Sequence, residues 1–131
     1  MTRVLLVDDS PTFSTSAARF LQSIPGFDVV GFAINGSDAL QKVQALNPEL
    51  VLMDIDMPVM DGLEAGRRIA AQYPHIRIVF VSVNQGKEYQ ELALQSGGMA
   101  FISKSDFVSS LSSLLGERQW FGPHDGGMRF A

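Results

Sequence analysis

Short, continuous apolar runs alternate along this chain with stretches in which apolar residues recur every three or four positions. A continuous apolar run suits a strand that is buried on both faces, whereas the longer spacing indicates a helix with one buried face. The runs predict five strands, at about residues 3–7, 27–33, 49–54, 76–83 and 99–103. The stretches that follow each run predict five helices, the last at about 107–115.

Turn and capping residues separate these elements. Ser10 is placed to cap the first helix, with Pro11 at its first position, and Ser37 and Asp61 are placed to cap the second and third helices. Strict alternation of strands and helices with short turns favours a parallel sheet covered on both faces. We therefore expect an α/β fold with five parallel strands, and in the flavodoxin-like, doubly wound (βα)5 form of this fold the strands lie in the order 2-1-3-4-5.

The end of the chain lacks this periodicity. Residues 116–131 contain four glycines and one proline, and apolar residues do not recur at a fixed spacing. We expect one domain over residues 1–116, followed at 117–131 by a flexible tail or the start of a linker. Trp120 and Phe121 lie in this tail, and docking on the domain or on a partner are both open for them.

Composition narrows the functional class. The chain has 131 residues, 46% of them hydrophobic and 18% charged, with a net charge of −4. An acidic balance without clustered Lys and Arg argues against direct nucleic-acid binding. No apolar run approaches the ~20 residues that span a bilayer, and the N-terminus does not resemble a signal peptide. We expect a cytoplasmic protein that does not bind membranes.

Polar residues follow the ends of the predicted strands. The first strand ends at Asp8 and Asp9, the third at Asp54, the fourth at Ser82 and the fifth at Lys104. In the expected strand order these ends adjoin one crevice. Neighbouring carboxylates repel, which raises the pKa of a carboxyl group unless a cation intervenes, and oxygen ligands without His or Cys suit Mg²⁺. A hydroxyl and an ammonium could hold the oxygens of a phosphoryl group on Asp54.

Four motifs carry a family resemblance. They are Val-Leu-Leu-Val-Asp8-Asp9-Ser, Val-Leu-Met-Asp54-Ile-Asp-Met-Pro58-Val-Met-Asp-Gly62, Val-Ser82-Val and Phe101-Ile-Ser-Lys104. In order and spacing they resemble the signature of receiver domains of two-component response regulators, of chemotaxis and LuxR type, from about Arg3 to Leu115. The resemblance implies that Asp54 accepts a phosphoryl group from a histidine kinase or a phosphotransfer protein. It implies no enzyme activity beyond the chain's own phosphorylation and dephosphorylation.

The resemblance also assigns roles in metal binding. Asp54 and Asp9 would bind Mg²⁺ directly, with Mn²⁺ as a possible substitute, and Asp8 would bind mostly through water. Asp56 would contribute its backbone carbonyl. The side chain of Asp56 would lie beside the site, where its effect on metal affinity and phosphoryl lifetime does not follow from the sequence.

Three further residues would respond to phosphorylation. Ser82 would hydrogen-bond one phosphoryl oxygen, Lys104 would pair with another, and Phe101 would be the aromatic that moves inward as Ser82 is drawn to the phosphate. An aromatic in a strand is also an ordinary core residue. The face formed by helix 4, strand 5 and helix 5, from Lys87–Ser96 and Phe107–Leu115 with Phe101, would control a downstream protein or a fused output domain.

Two other positions depart from the family pattern. Ser105 replaces the usual proline after the lysine, so we predict a trans peptide bond, because a cis bond before a residue other than proline costs about 3–4 kcal/mol. The loop into the last helix would be reshaped accordingly. Val83 replaces the Ala or Gly that usually follows the hydroxyl residue, here Ser82, and its bulk would restrict access to the phosphoryl group.

Two other classes of function compete with this interpretation. The first is a phosphatase or phosphotransferase like the haloacid dehalogenases, since Asp54 and Asp56 fit the Asp-x-Asp motif of that superfamily and Ser82 and Lys104 echo its later motifs. Against it, the acidic pair precedes this motif, and Pro58-Val59 follows it. The second is a flavodoxin-like cofactor binder, but no phosphate-cradling loop precedes the first helix.

The output and the oligomeric state stay open at this stage. We find no helix-turn-helix pattern, so the chain is either a stand-alone receiver or the receiver part of a longer regulator. Serine after the lysine is seen in receivers of LuxR-type regulators. The outer face of the last helix carries four serines and few charges, at positions 109, 110, 112 and 113, which favours a monomer or a weak dimer.

Overall fold

The computed structural model describes residues 1–116 and the backbone of Arg129–Phe130. The strands are β1 (Thr2–Val7), β2 (Phe27–Ala33), β3 (Leu50–Asp54), β4 (Arg77–Ser82), β5 (Ala100–Ser103) and β6 (Arg129–Phe130). The helices are α1 (Pro11–Gln22), α2 (Gly36–Leu46), α3 (Gly62–Gln72), α4 (Lys87–Gln95) and α5 (Phe107–Leu115), with a 3₁₀ turn at Lys104–Asp106. The five predicted strands and five predicted helices are therefore confirmed.

The strands form one parallel sheet in the order β2-β1-β3-β4-β5-β6. The predicted order of the first five strands is confirmed. The sixth strand was not predicted, because two residues are too few to give a periodic signal. It pairs Arg129 with Ala100 and Phe130 with Phe101. The rest of the predicted tail, including Trp120 and Phe121, lies outside the described residues.

Two apolar layers hold the helices on the sheet. Side chains alternate between the faces of a strand, so Val4 and Leu6 contact the layer of α1 and α5, whereas Leu5 and Val7 contact the layer of α2, α3 and α4. Within β3 all five residues are buried. Full burial on both faces explains the continuous apolar run and fixes where the strand delivers its last residue, Asp54.

The registers of the central strands align their carboxyl ends. Met53 lies opposite Val7 of β1, Asp54 lies opposite Val81 of β4, and Ser82 lies opposite Ser103 of β5. The residues that follow β1 and β5, and those that end β3 and β4, therefore lie at one edge of the sheet.

Two of the predicted helix caps are confirmed and one is wrong. Ser10 accepts a hydrogen bond from the amide of Phe13 at α1, and Asp61 accepts one from Glu64 at α3. At α2 the cap is Asn35, whose Oδ1 accepts from the amide of Asp38 at 2.8 Å, and the predicted cap Ser37 lies inside the helix. Asn35 takes the role because its backbone is extended where the helix begins.

The segment after β5 differs from a simple helix cap. Lys104–Asp106 form a 3₁₀ turn that Ser103 caps by accepting from the amide of Ser105. Asp106 precedes α5 without a capping side-chain hydrogen bond. The predicted trans bond at Ser105 is confirmed, since residues 1–116 contain no cis peptide bond. No helix in the described part of the chain is both long and apolar enough to cross a membrane.

Candidate functional site

Three carboxylates meet at the carboxyl edge of the sheet. Asp8 and Asp54 are buried and Asp9 is exposed, and one oxygen from each lies within 4.8 Å of the others. The structure thus brings together the acidic residues that the sequence placed at this edge. An oxygen-only cluster of this kind is chemically suited to a hard divalent cation.

The backbone around Asp54 is fixed from two sides. The amide of Ile55 donates to the carbonyl of Val81 in β4 at 3.1 Å, and the carbonyl of Ile55 accepts from the amide of Gly62 at 2.9 Å. A Cβ atom at Gly62 would lie 2.0 Å from the carbonyl oxygen of Asp54. Glycine at this position therefore allows the start of α3 to pack directly against the strand end.

Burial dominates the electrostatics of Asp54. Burial raises the pKa of Asp54 to about 7, and the negative charge of Asp8 adds to this effect. Lys104 and the hydrogen bond from the Asp56 amide act in the opposite direction, and Asp9 makes a small further contribution upwards. A divalent cation bound beside the carboxyl group would favour its ionised form.

Lys104 lies between two of these carboxylates. Its Nζ is 2.7 Å from Asp8 Oδ2 and 3.7 Å from Asp54 Oδ2. At 2.7 Å the contact with Asp8 is a close ion pair, in which 17% of the Lys104 side chain and 4% of the Asp8 side chain are exposed. The other oxygen of Asp8 accepts from the amide of Ser10 at 2.8 Å.

Phe13 is a site residue that the sequence did not reveal. Lys104 Nζ lies 4.6 Å from the centroid of the Phe13 ring, at the distance of a cation–π contact. The same ring packs edge-on against Phe107 of α5, with centroids 5.0 Å apart. From its spacing alone Phe13 is an ordinary apolar residue of α1, and only its packing shows that it supports the ammonium group.

The hydroxyl of Ser82 forms hydrogen bonds with Asp56 and Asn84. Ser82 is fully buried, and its Oγ donates to Asp56 Oδ2 at 3.5 Å and accepts from the amide of Asn84 at 3.0 Å. The side-chain amide of Asn84 donates to the same Asp56 oxygen at 3.3 Å. Asn84 is therefore a further residue of the site, and its polar side chain two positions after Ser82 is the signal in the sequence that points to it.

The remaining predicted residues lie within β5 or directly after β4 and β5. Val83 directly follows Ser82 and is 68% exposed. Phe101 is buried in the layer of α2, α3 and α4. Ser105 accepts a hydrogen bond from the side chain of Gln85 at 3.1 Å, and its hydroxyl lies 2.8 Å from that of Ser103. The segments that carry Ser82 and Lys104 are therefore linked by side chains.

The doubly wound parallel sheet and the acidic, hydroxyl and ammonium groups at its carboxyl edge are the fold and the site that the resemblance to receiver domains predicts. Residues 4–114 match the response regulator receiver domain, and the chain belongs to that family. A dehalogenase-like phosphatase, the leading alternative from the sequence, is not supported by this match.

Individual relatives agree with the family. The response regulator GacA of Pseudomonas viridiflava is 34% identical over 127 residues, which cover 94% of this chain and 59% of GacA. A protein-glutamate methylesterase/protein-glutamine glutaminase of Pseudoalteromonas atlantica is 41% identical over 103 residues, covering 78% of this chain and 27% of that protein. The response regulator domain of Thermotoga maritima CheB superposes with a TM-score of 0.79 at 34% identity, covering 88% of this chain and 91% of that domain.

The chain covers different fractions of the full length of these relatives. The chain spans about 59% of GacA and about 27% of the methylesterase. The shared region is the receiver domain, and the activities of the longer relatives belong to those proteins.

Proposed function

We propose that this receiver domain accepts a phosphoryl group on Asp54. The observation that supports this most directly is the placement of the Asp54 carboxyl group, buried at a strand end, with two carboxylates and the Lys104 ammonium around it. A carboxylate oxygen of Asp54 would attack phosphorus, the bond from phosphorus to the donor's leaving atom would break, and an acyl phosphate would form. The donor would be the phosphohistidine of a histidine kinase or a phosphotransfer protein.

The donor set at the cluster fits Mg²⁺, with Mn²⁺ as a substitute. Asp8, Asp9 and Asp54 would supply carboxylate oxygens and Asp56 its backbone carbonyl. Asp8 Oδ2 is buried beside the Lys104 ammonium group, and it would become available to a cation, or to a water bound to one, when that group moves to the phosphoryl oxygens. When bound, the cation would neutralise the charge of the carboxylates and of the transferred phosphoryl oxygens.

Two residues would hold the phosphoryl oxygens. Lys104 Nζ lies 3.7 Å from Asp54, so a small movement away from Asp8 would bring it against a phosphoryl oxygen. Ser82 would turn its hydroxyl from Asp56 to another oxygen. The exposed side chain of Val83, adjacent to Ser82, would hinder the approach of phosphodonors and of water.

The readout face would be α4, β5 and α5. Phe101 of β5 lies one strand from Ser82, so a shift of Ser82 would be transmitted to its side chain. The partner would be a downstream protein or a fused output domain, met in the cytoplasm. We further propose a monomer or a weak dimer, with no enzyme activity beyond phosphorylation and dephosphorylation of the chain itself.

Intact-mass measurement tests this function. With Mg²⁺ and a small-molecule acyl-phosphate donor, the wild-type chain should gain one phosphoryl group, whereas Asp54→Asn should gain none. Asp28→Asn is the matched control, because Asp28 is an exposed carboxylate on β2 and should leave labelling intact. Labelling of the Asp54→Asn variant to the wild-type level would contradict the assignment.

A further inference from the structure

The hydroxyl of Ser82 already has an anionic hydrogen-bond acceptor other than Asp54. A serine hydroxyl has one proton to donate, and here it is directed to Asp56 Oδ2 at 3.5 Å. Its oxygen accepts from the amide of Asn84 at 3.0 Å. The hydroxyl is therefore engaged both as a donor, to Asp56, and as an acceptor, from Asn84.

We propose that Asp56 is a positioning residue whose carboxylate competes with the phosphoryl group for the hydroxyl proton of Ser82. In the unphosphorylated protein the Asp56 carboxylate takes the place that a phosphoryl oxygen takes after phosphorylation, because both are anionic oxygen acceptors. This rests on the proposed function of Asp54. It assigns the side chain of Asp56 a role separate from that of its backbone carbonyl.

The surroundings of Asp56 keep its carboxylate in this position. The preceding residue, Ile55, is hydrogen-bonded to β4 and to the start of α3, so the backbone that carries Asp56 is held beside β4. The side-chain amide of Asn84 donates to the same carboxylate oxygen that Ser82 contacts, at 3.3 Å. Asp56 and Asn84 thus hold Ser82 and the start of the β4–α4 connection together.

The lengths of these contacts suit an interaction that phosphorylation of Asp54 can break. The Ser82–Asp56 contact of 3.5 Å is longer than the usual 2.5–3.0 Å of an O–H···O hydrogen bond, and the Asn84–Asp56 contact of 3.3 Å is longer than the usual 2.7–3.2 Å of an N–H···O bond. Both contacts are correspondingly weak. Asp56 and Asn84 are also exposed, so water can replace the lost contacts when Ser82 turns away. The carboxylate would bias the equilibrium toward the unphosphorylated arrangement without blocking the change.

Affinity for beryllofluoride, a phosphoryl mimic, tests the proposal at saturating Mg²⁺ by calorimetry. Asp56→Ala should bind beryllofluoride about 3- to 10-fold more tightly than wild type, the range for losing one competing hydrogen bond. Asn84→Ala, which removes only the support of the carboxylate, should give a smaller gain. Asp28→Ala is the control for a change in net charge and should leave the affinity unchanged.

A double-mutant cycle separates competition from simple charge repulsion. In the Ser82→Ala background the hydroxyl is absent, so Asp56→Ala should no longer tighten binding. A gain of the same size in both backgrounds would overturn the proposal, because it would show that only the negative charge matters. An unchanged affinity in Asp56→Ala with Ser82 present would overturn it as well.

Amide NMR spectra of the unphosphorylated protein distinguish the proposed competition from a purely structural role of Asp56. In Asp56→Ala the backbone amide signals of Ser82 and Asn84 should shift toward their positions in the beryllofluoride complex of the wild type. Shifts in unrelated directions would contradict the proposal. If the wild-type protein itself fails to bind beryllofluoride with Mg²⁺, the proposed function fails, an outcome distinct from binding that does not respond to Asp56.

Discussion

Lys104 Nζ lies 2.7 Å from Asp8 Oδ2, 1.0 Å closer than it lies to Asp54 Oδ2 at 3.7 Å. The ammonium group therefore pairs first with the proposed metal-binding carboxylate and only second with the proposed phosphoacceptor. Both partners are largely buried, with 17% of the Lys104 side chain and 4% of the Asp8 side chain exposed. Phosphorylation of Asp54 would draw the ammonium group away from Asp8.

Removing this ammonium group should destabilise the protein. Lys104→Met leaves the Asp8 and Asp54 carboxylates without the ammonium group beside them. We expect the free energy of unfolding to fall by about 1–2 kcal/mol, less than for a fully buried pair, because 17% of the Lys104 side chain is exposed. Added Mg²⁺ should restore more stability to this variant than to wild type. Urea unfolding with chelator and with Mg²⁺ measures both effects. Lys87→Met, at an exposed position, is the control.

Stability without divalent cations should depend on the protonation of Asp54. Its pKa is about 7 when folded, against 3.8 as the ordinary value, so the folded state holds more protons between these limits. The contribution of Asp54 to the free energy of unfolding therefore falls as pH rises from about 4 to 7, by about 1–4 kcal/mol in all. Below pH 4 this contribution is fully present.

The Asp54→Asn variant isolates that contribution. Urea unfolding in chelator at pH 5 and pH 8 should show that wild type loses more stability over this interval than the variant does. At pH 8 the variant should be the more stable protein. Equal pH dependence in the two proteins would contradict the raised pKa of Asp54.

Val83 should control the access of small molecules. Replacing it by alanine removes two exposed methyl groups next to Ser82, so both phosphorylation by a small-molecule donor and hydrolysis of the acyl phosphate should become faster. Val108→Ala, at an exposed position of α5, is a matched control. Unchanged rates in Val83→Ala would refute a role in access.

The hydroxyl of Ser105 should link two loops. It contacts Gln85 at 3.1 Å and Ser103 at 2.8 Å, so Ser105→Ala should increase amide hydrogen exchange in residues 84–86 and lower stability by about 0.5–1 kcal/mol. Ser113→Ala, on the exposed side of α5, should change neither. If amide exchange of residues 84–86 in Ser105→Ala keeps its wild-type rate, the loops after β4 and β5 are independent.

The sequence determined the first five strands and the residues of the acidic site, and the order of those strands followed from the flavodoxin-like form of the fold. Continuous apolar runs occur where strands are buried on both faces, and Asp8, Asp54 and Ser82 could be assigned to one edge because each lies at the end of such a run. Ser10 and Asp61 were recognised as caps because capping depends on residues three positions apart. These are properties of local sequence and of parallel topology.

Only the tertiary structure decided how the site residues pair. The contacts of Lys104 with Asp8, and of Asp56 with Ser82 and Asn84, join residues far apart in sequence. Apolar periodicity predicts that Phe13 lies on the buried face of α1, but it does not predict that the Lys104 ammonium group lies over its ring. Side-chain partners depend on register, rotamer and the packing of neighbouring loops, and these are set only when the whole sheet and its helices come together.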